Sequence, residues 1–183
     1  MVDSLDFAGQ VLILTGSPGS GKTTTAALLT ALPGSPKVHL HSDDFWHFIK
    51  NGCIPPYLPE SHEQNKVVMT ALAKVVESFA EGKFFVVLDG IIGPWFLDYF
   101  KHFNVPTHYV VLQPPLELAI QRCKQRNPDT LTDSGPITGL HEQFSTLGDL
   151  QNHSLAVSVG APEDMVQRVI DALQSGAFLL KTV

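Results

Sequence analysis

Short runs of mostly apolar residues recur along the chain, and a polar residue or a glycine follows each of them. The three clearest runs cover residues 10–15, 84–88 and 107–112. A short continuous apolar run of this kind is typical of a strand that is buried on both faces of a parallel sheet. Extended segments at 37–40 and 154–159 predict two further strands.

Helical patterns occupy the stretches between these strands. They cover residues 22–32, 43–51, 61–82, 114–126, 139–147 and 162–173. The longest has apolar residues at three- and four-residue spacing, and Ser61 followed by Gln64 predicts a capping box at its start. The polar stretch 127–136 and the proline-rich stretch 52–60 are expected to be irregular connections. Strands that alternate with helices imply an α/β fold, with a parallel sheet covered by helices on both faces.

Length and composition are those of a single globular domain spanning residues 1–183. Hydrophobic residues make up 44% of the chain and charged residues 16%, which argues against disorder. The apolar runs are too short to cross a bilayer and the start of the chain has no secretory pattern, so we expect a cytoplasmic protein without membrane contact. Cys53 and Cys123 form no metal or redox motif and are expected to be ordinary thiols.

The charge balance limits the partners. A net charge of −6 argues against a broad nucleic-acid surface, because affinity for the phosphate backbone is built from lysine and arginine. The eight histidines have no HxxxH or HExxH spacing, so no transition-metal site is predicted.

A glycine-rich motif carries the strongest functional signal. Residues 16–23 read GSPGSGKT and match the pattern GxxxxGK[ST], directly after a predicted strand and directly before a predicted helix. Backbone N–H groups of such a loop point inward at a polyphosphate, and glycine reaches the required angles without a Cβ penalty. We therefore expect ATP to bind here. The expected ATP-binding residues are Gly16, Ser17, Pro18, Gly19, Ser20, Gly21, Lys22, Thr23 and Thr24.

Two side chains at the end of this motif are expected to act on the phosphates. Lys22 can reach the β and γ oxygens, and the Thr23 hydroxyl is placed to ligate Mg²⁺. The positive end of the helix that begins at Gly21 adds to the attraction. The alternative is a glycine-rich turn that binds no nucleotide.

Carboxylates follow the second and third strands, at the edge where ligands bind in open α/β folds. Asp43 is the candidate base that orients or deprotonates an acceptor hydroxyl, although Ser42 or Asp43 could instead cap the next helix. Asp44 is a second candidate for the base. Asp89 could hold a Mg²⁺-bound water or the Lys22 ammonium, or it could simply form a turn.

Two arginines are candidates for a phosphate-contacting lid. Arg122 and Arg126 lie four residues apart on one helical face and lead into the polar stretch, so the expected lid covers residues 122–136. The alternative is an exposed, solvated helix face.

Four segments in this order resemble the small P-loop kinases, which include gluconate kinase, chloramphenicol phosphotransferase and the kinase part of polynucleotide kinase. The segments are GSPGSGKT, HSDDFW, VVLDGIIGPW and AIQRCKQRN, and the resemblance covers most of the chain. Within this superfamily the chain is most similar to a bacterial subgroup of ATP-dependent kinases.

This resemblance implies a three-layer fold with five parallel strands in the order 2-3-1-4-5, a lid, and an O-phosphotransferase activity that uses ATP and Mg²⁺. It also implies that Asp43 occupies the position of the catalytic aspartate and that Arg122 or Arg126 occupies that of the lid arginine. One position departs from the polynucleotide kinases. Trp46 stands where those enzymes carry an arginine, which weakens the case for a nucleic-acid acceptor and leaves room for a partly apolar or sugar-like one.

The acceptor pocket is expected to form from residues 44–65 and the loop 90–95. The candidate acceptor-binding residues are Asp44, Trp46, His62 and Trp95. Trp46, Tyr57 and Trp95 could stack on a ring or sugar face, and each could equally pack in the core. Further hydrogen-bonding candidates are His41, His47, Gln64 and Asn65.

The leading functional hypothesis is an ATP- and Mg²⁺-dependent kinase that phosphorylates the hydroxyl of a small molecule. One alternative is a kinase of polynucleotides or nucleotide sugars, of the end-healing or zeta-toxin type, which would need a basic groove beside Asp43. Another is a non-catalytic ATP-binding switch, which would need an exposed apolar patch for its partner.

Overall fold

Five parallel strands form the central sheet of the protein. The computed structural model describes residues 4–125 and 134–181. The strands are β1 (Val11–Gly16), β2 (Lys37–His41), β3 (Phe85–Gly90), β4 (Thr107–Gln113) and β5 (Ser154–Ala156). Their order is β2-β3-β1-β4-β5 and all four pairings are parallel. This confirms the α/β fold and the strand order that the family resemblance implies.

In the described ranges, six α-helices connect and cover the strands. They are α1 (Lys22–Ala31), α2 (Ser42–His47), α3 (His62–Glu81), α4 (Leu116–Lys124), α5 (Ser134–Ser145) and α6 (Pro162–Ser175). Short 3₁₀ turns lie at Pro59–Ser61, Pro94–Tyr99 and Gly148–His153. Within residues 4–125 and 134–181, no helix combines the length and the apolarity that a bilayer crossing requires.

Several predicted element ends were wrong. Helix α5 begins at Ser134, so residues 134–136 of the expected irregular stretch are helical. Helix α2 ends at His47 instead of continuing to residue 51, and its last turn is tightened by a hydrogen bond from the Ile49 N–H to the Trp46 carbonyl. Strand β5 ends at Ala156, three residues earlier than expected.

Hydrophobic residues pack against both faces of the sheet. Alternate residues of a strand point to opposite faces, so Ile13 and Leu88 pack with α3 on one side, whereas Leu12, Leu14 and Val87 pack with α1 and α6 on the other. All of these strand residues are fully buried. The doubly covered sheet explains why its strands have continuous apolar runs in the sequence.

The predicted capping box at the start of α3 was wrong. The Ser61 hydroxyl donates to the carbonyls of Pro56 and Leu58 instead of capping the helix. The Gln64 side chain bonds both the N–H and the carbonyl of Ile54, at 2.9 and 2.7 Å. A proline-rich connection leaves carbonyls without secondary-structure partners, and these two side chains satisfy them.

Candidate active site

The loop between β1 and α1 has a shape that only glycine permits at several positions. Gly19 and Gly21 have φ angles of 77° and 93°, in the left-handed region that other residues avoid. A Cβ atom on Gly16 would lie 2.4 Å from the Leu112 carbonyl oxygen, and one on Gly19 would lie 2.4 Å from that of Ala119. The loop is therefore packed tightly against β4 and α4.

Polar groups of this loop suit a polar ligand. The Lys22 ammonium is buried and donates to the Ser17 carbonyl at 3.1 Å. The hydroxyls of Ser17 and Ser20 are buried, and neither has a hydrogen-bond partner within the described part of the chain. Buried polar groups are normally satisfied, so a bound group rich in acceptor oxygens, such as a polyphosphate, fits this loop.

Asp89 at the end of β3 lies at the centre of a hydrogen-bond cluster. Its side chain is fully buried, and its Oδ2 accepts a hydrogen bond of 2.6 Å from the Thr23 hydroxyl. Its Oδ1 lies 2.9 Å from both His39 Nε2 and His41 Nδ1. His41 is the register partner of Asp89 across the β2–β3 pairing, and His39 lies two residues earlier on the same strand face.

The cluster keeps Asp89 ionised. Burial by itself would raise the pKa of this carboxyl, but the hydrogen bonds from His39, His41 and Thr23 outweigh it and hold the pKa far below its ordinary value. The same hydrogen bond to Asp89 raises the pKa of His41 above its ordinary value. A buried negative charge thus faces the last residue of the glycine-rich loop.

Thr23 and Asp89 suit a magnesium ion that also binds phosphate. Both side chains offer oxygen ligands, which Mg²⁺ prefers, and it usually takes only one or two protein ligands besides phosphates and waters. Across residues 4–125 and 134–181, no group of three or more His, Cys, Asp or Glu side chains could hold a metal ion. The oxygen ligands of Thr23 and Asp89 fit a cation that also binds the phosphates of a nucleotide.

Asp43 lies beside this cluster, on the first turn of α2. Its side chain is half exposed, and its Oδ2 is 3.6 Å from His41 Nε2. The imidazole of His41 thus lies between the carboxylates of Asp89 and Asp43. The residue that precedes α2 is His41 and the helix has no side-chain cap, so neither Ser42 nor Asp43 has the capping role considered from the sequence.

The start of α2 is pressed against the end of β3. A Cβ atom on Gly90 would lie 1.7 Å from the Ser42 hydroxyl oxygen, so only glycine allows this approach. Beyond Gly90, the Ile92 N–H donates to the Thr15 hydroxyl and the Ile92 carbonyl accepts from the Tyr109 hydroxyl, both at 2.9 Å. These bonds fix the first part of the loop 90–95 to β1 and β4.

Arg122 faces the glycine-rich loop from α4. Its Nη1 lies 3.4 Å from the Gly19 carbonyl oxygen. Arg126 and residues 126–133 of the expected lid lie outside the described residues.

A cleft of about 430 Å³ beside this loop was missed by the sequence analysis. One wall contains Gly19, Thr24 and Arg122, and the other is formed by residues 157–162 after β5, with Met165 and Arg168 of α6. The position of residues 157–162 at the end of a predicted strand could have indicated this cleft, because residues after a parallel strand lie at the ligand-binding edge of the sheet. The expected strand at 154–159 obscured it.

The four acceptor-binding candidates lie in different environments. Trp46 is buried, and its indole N–H donates to Asn65 at 2.8 Å, so its ring packs in the core. His62 is exposed at the start of α3, near Glu63. Asp44 is exposed on α2, next to Asp43.

Trp95 is partly exposed and lies at the far end of the loop 90–95. Its ring covers Gly93, where a Cβ atom would come within 2.2 Å of the indole. The ring also contacts Phe144 of α5, with the ring centroids 5.7 Å apart. Trp95 therefore joins the loop after β3 to the helix that follows the segment 126–133.

Together these features define a class of protein. The sheet order, the glycine-rich loop with its lysine and threonine, and the carboxylate at the end of β3 are those of a P-loop nucleotide-binding domain. A family model described as an AAA domain matches residues 12–134. The match spans more than half of the chain, and the protein belongs to this family of P-loop domains. No curated protein matches the sequence.

Solved structures show the same fold at low sequence identity. Shikimate kinase from Acinetobacter baumannii, in complex with shikimate, is 22% identical with a TM-score of 0.64, over 93% of this chain and 95% of that one. The Deinococcus radiodurans tunicamycin resistance protein is 14% identical with a TM-score of 0.68, over 94% and 98%. A gluconokinase from Sinorhizobium meliloti is 15% identical with a TM-score of 0.66, over 94% and 95%. These likenesses show that the chain shares the fold of these proteins.

Proposed function

We propose that the protein transfers the γ-phosphoryl group of ATP to the hydroxyl of a small molecule, with Mg²⁺ as the accompanying ion. The observation that carries this proposal is the continuous set of contacts from Thr23 through Asp89 and His41 to Asp43. It leads from the phosphate-binding loop to a half-exposed carboxylate at the open edge of the sheet. Phosphoryl transfer needs this combination of charge neutralisation and a group that orients the acceptor.

The phosphates are assigned to the loop between β1 and α1. The Ser17 and Ser20 hydroxyls, which lack partners in the described structure, would donate to phosphate oxygens. Lys22 would exchange its bond with the Ser17 carbonyl for the β and γ oxygens, a short movement for a flexible side chain. Arg122, and Arg126 four residues later in the sequence, would add positive charge to the transferred group.

Thr23 and Asp89 would hold Mg²⁺, directly or through a water. The ion, when bound, neutralises charge that develops on the β and γ phosphates. His39 and His41 are assigned a positioning role, since both lie within hydrogen-bond distance of the same oxygen of Asp89 and fix its orientation. Such partners of ligating carboxylates commonly tune a metal site.

Asp43 is assigned as the residue that orients the acceptor hydroxyl and takes its proton. In the transfer, the hydroxyl oxygen forms a bond to the γ phosphorus, the bond to the β–γ bridging oxygen breaks, the proton passes to Asp43, and ADP leaves. The half-exposed position of Asp43 lets it meet a molecule that enters from solvent. The nucleoside of ATP is assigned to the cleft between Thr24 and residues 157–162.

Calorimetry with ATP and Mg²⁺ tests the nucleotide assignment. Lys22→Ala should lose measurable binding, because the ammonium is the main cation of the loop, while Lys74→Ala, an exposed lysine on α3, should bind like the wild type. Equal affinities for wild type and Lys22→Ala would overturn this assignment.

Acceptor-stimulated ADP release tests the transfer step separately. With an acceptor that the wild type phosphorylates, Asp43→Asn should lower kcat by about a hundredfold or more, without changing ATP affinity. Release of ADP at the wild-type rate by Asp43→Asn would remove Asp43 from the mechanism. Tight ATP binding without any acceptor-dependent turnover would instead favour the non-catalytic switch.

A further inference from the structure

Guanidinium groups lie on the nucleotide side of the site. The three arginines of the chain are Arg122, Arg126 and Arg168, all beyond β4 in the sequence. Of the two that the structure describes, Arg122 reaches the Gly19 carbonyl, and both line the cleft beside the glycine-rich loop. Arginine is the side chain that binds carboxylate or phosphate with two parallel hydrogen bonds. Both described arginines therefore lie where they can bind the nucleotide, on the side of the site away from the acceptor.

Negative charge lies on the acceptor side. Asp43 is half exposed and Asp44 is exposed on the first turn of α2. Lys66, near the start of α3, pairs with Glu63 at 2.8 Å, and the lysine that follows α2 in the sequence, Lys50, is exposed. An anionic acceptor that placed its hydroxyl at Asp43 would therefore meet two carboxylates.

Aromatic surface lies on the same side of the molecule. Phe48, directly after α2, is 67% exposed, and its ring packs on that of Phe45. Tyr57 in the proline-rich connection is 71% exposed, and Trp95 after β3 is 45% exposed. Exposed aromatic rings suit the apolar face of a sugar or a ring system.

We infer that the acceptor is a neutral or cationic hydroxyl compound with an apolar or ring face, and that compounds with a carboxylate or phosphate near the reacting hydroxyl are poor acceptors. This inference rests on the proposed kinase function and narrows its substrate class. Repulsion between like charges about 5 Å apart at a partly exposed site should lower kcat/KM for the anionic compound by about tenfold to a hundredfold.

Matched pairs of acceptors test the inference with the full chain, ATP and Mg²⁺. Gluconate is compared with gluconamide and shikimate with its methyl ester, pairs whose members keep the same hydroxyls, and glucosamine supplies a cationic compound. ADP release is coupled to a spectrophotometric assay, and phosphorylated products are identified by mass spectrometry. The neutral or cationic member of a pair should have the higher kcat/KM by about tenfold or more. If the anionic member of a pair has a kcat/KM equal to or higher than that of its partner, the inference is overturned and the kinase function stands.

A charge-neutral variant sharpens the test. Asp44→Asn should raise kcat/KM for the anionic member of a pair and so reduce the difference in kcat/KM between the two members. Asp149→Asn, which changes an exposed aspartate before β5, should leave that difference unchanged. An unchanged difference in Asp44→Asn would show that the acceptor-side carboxylate does not discriminate. If no member of any pair is phosphorylated while a non-hydrolysable ATP analogue still binds, the proposed kinase function itself is contradicted, and the inference with it.

Discussion

The nucleotide side and the acceptor side of the site are built by different means. On the nucleotide side, glycines hold the loop against β4 and α4, two hydroxyls of the loop are buried, and the buried carboxylate of Asp89 accepts a hydrogen bond from Thr23. On the acceptor side, a short helix and a proline-rich connection carry exposed aromatic rings and half-exposed acids. A closely packed loop accepts few other residues at each position, whereas an exposed and irregular surface accepts many.

This difference corresponds to what each side must recognise. A triphosphate has a fixed geometry and charge, so a rigid loop that presents preorganised donors suits it. The acceptor side is held in place by a few side chains, Gln64 and Asn65 among them, that bond the carbonyls of an irregular segment. We therefore expect substitutions on the nucleotide side to affect catalysis strongly and those on the acceptor side to change mainly the choice and affinity of acceptor.

The largest effect is expected from Asp89→Asn. An amide keeps the size of the side chain but removes the buried charge that faces Thr23, so kcat should fall by about a hundredfold or more and half-maximal activity should need more Mg²⁺. Steady-state kinetics over a Mg²⁺ titration measures both quantities.

The matched control is Asp149→Asn, which removes an exposed carboxylate elsewhere. It should behave like the wild type. Wild-type kcat and Mg²⁺ dependence in Asp89→Asn would mean that the hydrogen-bond cluster serves only the fold.

A second large effect concerns the sheet that supports both sides. His108 on β4 is buried, its Nδ1 has no partner among the described residues, and burial lowers its pKa to about 4. The unfolded chain takes up this proton near pH 6.5, so stability should fall as the pH drops from about 6.5 to about 4, by about 3 kcal/mol at most.

The variant His108→Gln removes the contribution of this histidine to the pH dependence of stability. Asp89, with its lowered pKa, affects stability only below its ordinary value of 3.8, and His41, with its raised pKa, only above 6.5, so neither overlaps that range. Glutamine can keep a hydrogen bond to the Gln10 side chain, which His108 contacts at 3.0 Å. Urea denaturation at several pH values should show a flatter profile for the variant. A profile as steep as that of the wild type would assign the loss to other groups.

Gly19→Ala should have an intermediate effect. The new Cβ atom meets a backbone carbonyl at 2.4 Å in a left-handed conformation, so the loop must shift, and ATP affinity should fall by about tenfold. Gly139→Ala on α5 is the control, since its Cβ would meet nothing within 4 Å. Equal calorimetric affinities for the two variants would show that the loop adapts without cost.

The same difference between the two sides explains how much could be predicted from the sequence. The glycine-rich loop has a spacing that its geometry imposes, and the strands have continuous apolar runs because the sheet is covered on both faces. Asp89 and Arg122 could be placed near the loop from their positions at the end of β3 and on α4. Those features are local, or follow from the alternation of strands and helices.

The missed features depend on packing between distant segments. His41 was considered for the acceptor pocket, and its contact with Asp89 follows from the β2–β3 register, which no short pattern encodes. Trp46 looked like a ring for stacking, but α2 packs against β3 and α3 and buries it. Ser61 and Gln64 have the spacing of a capping box, but both side chains donate hydrogen bonds to carbonyls of the proline-rich connection instead.

The smallest effect on catalysis is expected from Gln64→Ala, on the acceptor side. The variant loses the two hydrogen bonds that hold Ile54, so the segment 52–60 should loosen and the free energy of unfolding should fall by about 1 kcal/mol. ATP affinity should not change, because the segment does not line the cleft beside the glycine-rich loop. The KM for the acceptor should rise, by about threefold to tenfold, with little change in kcat.

Gln167→Ala, which removes an exposed glutamine of α6 that bonds Asp171, is the matched control and should leave both KM values unchanged. Since the acceptor is bound by a surface whose shape depends on few bonds, a small loss of stability in Gln64→Ala should appear as a selective loss of acceptor affinity. A fall in kcat or in ATP affinity comparable to that of Asp89→Asn or Gly19→Ala would contradict the separation of the two sides. The proline-rich connection would then have to support the phosphates as well as the acceptor.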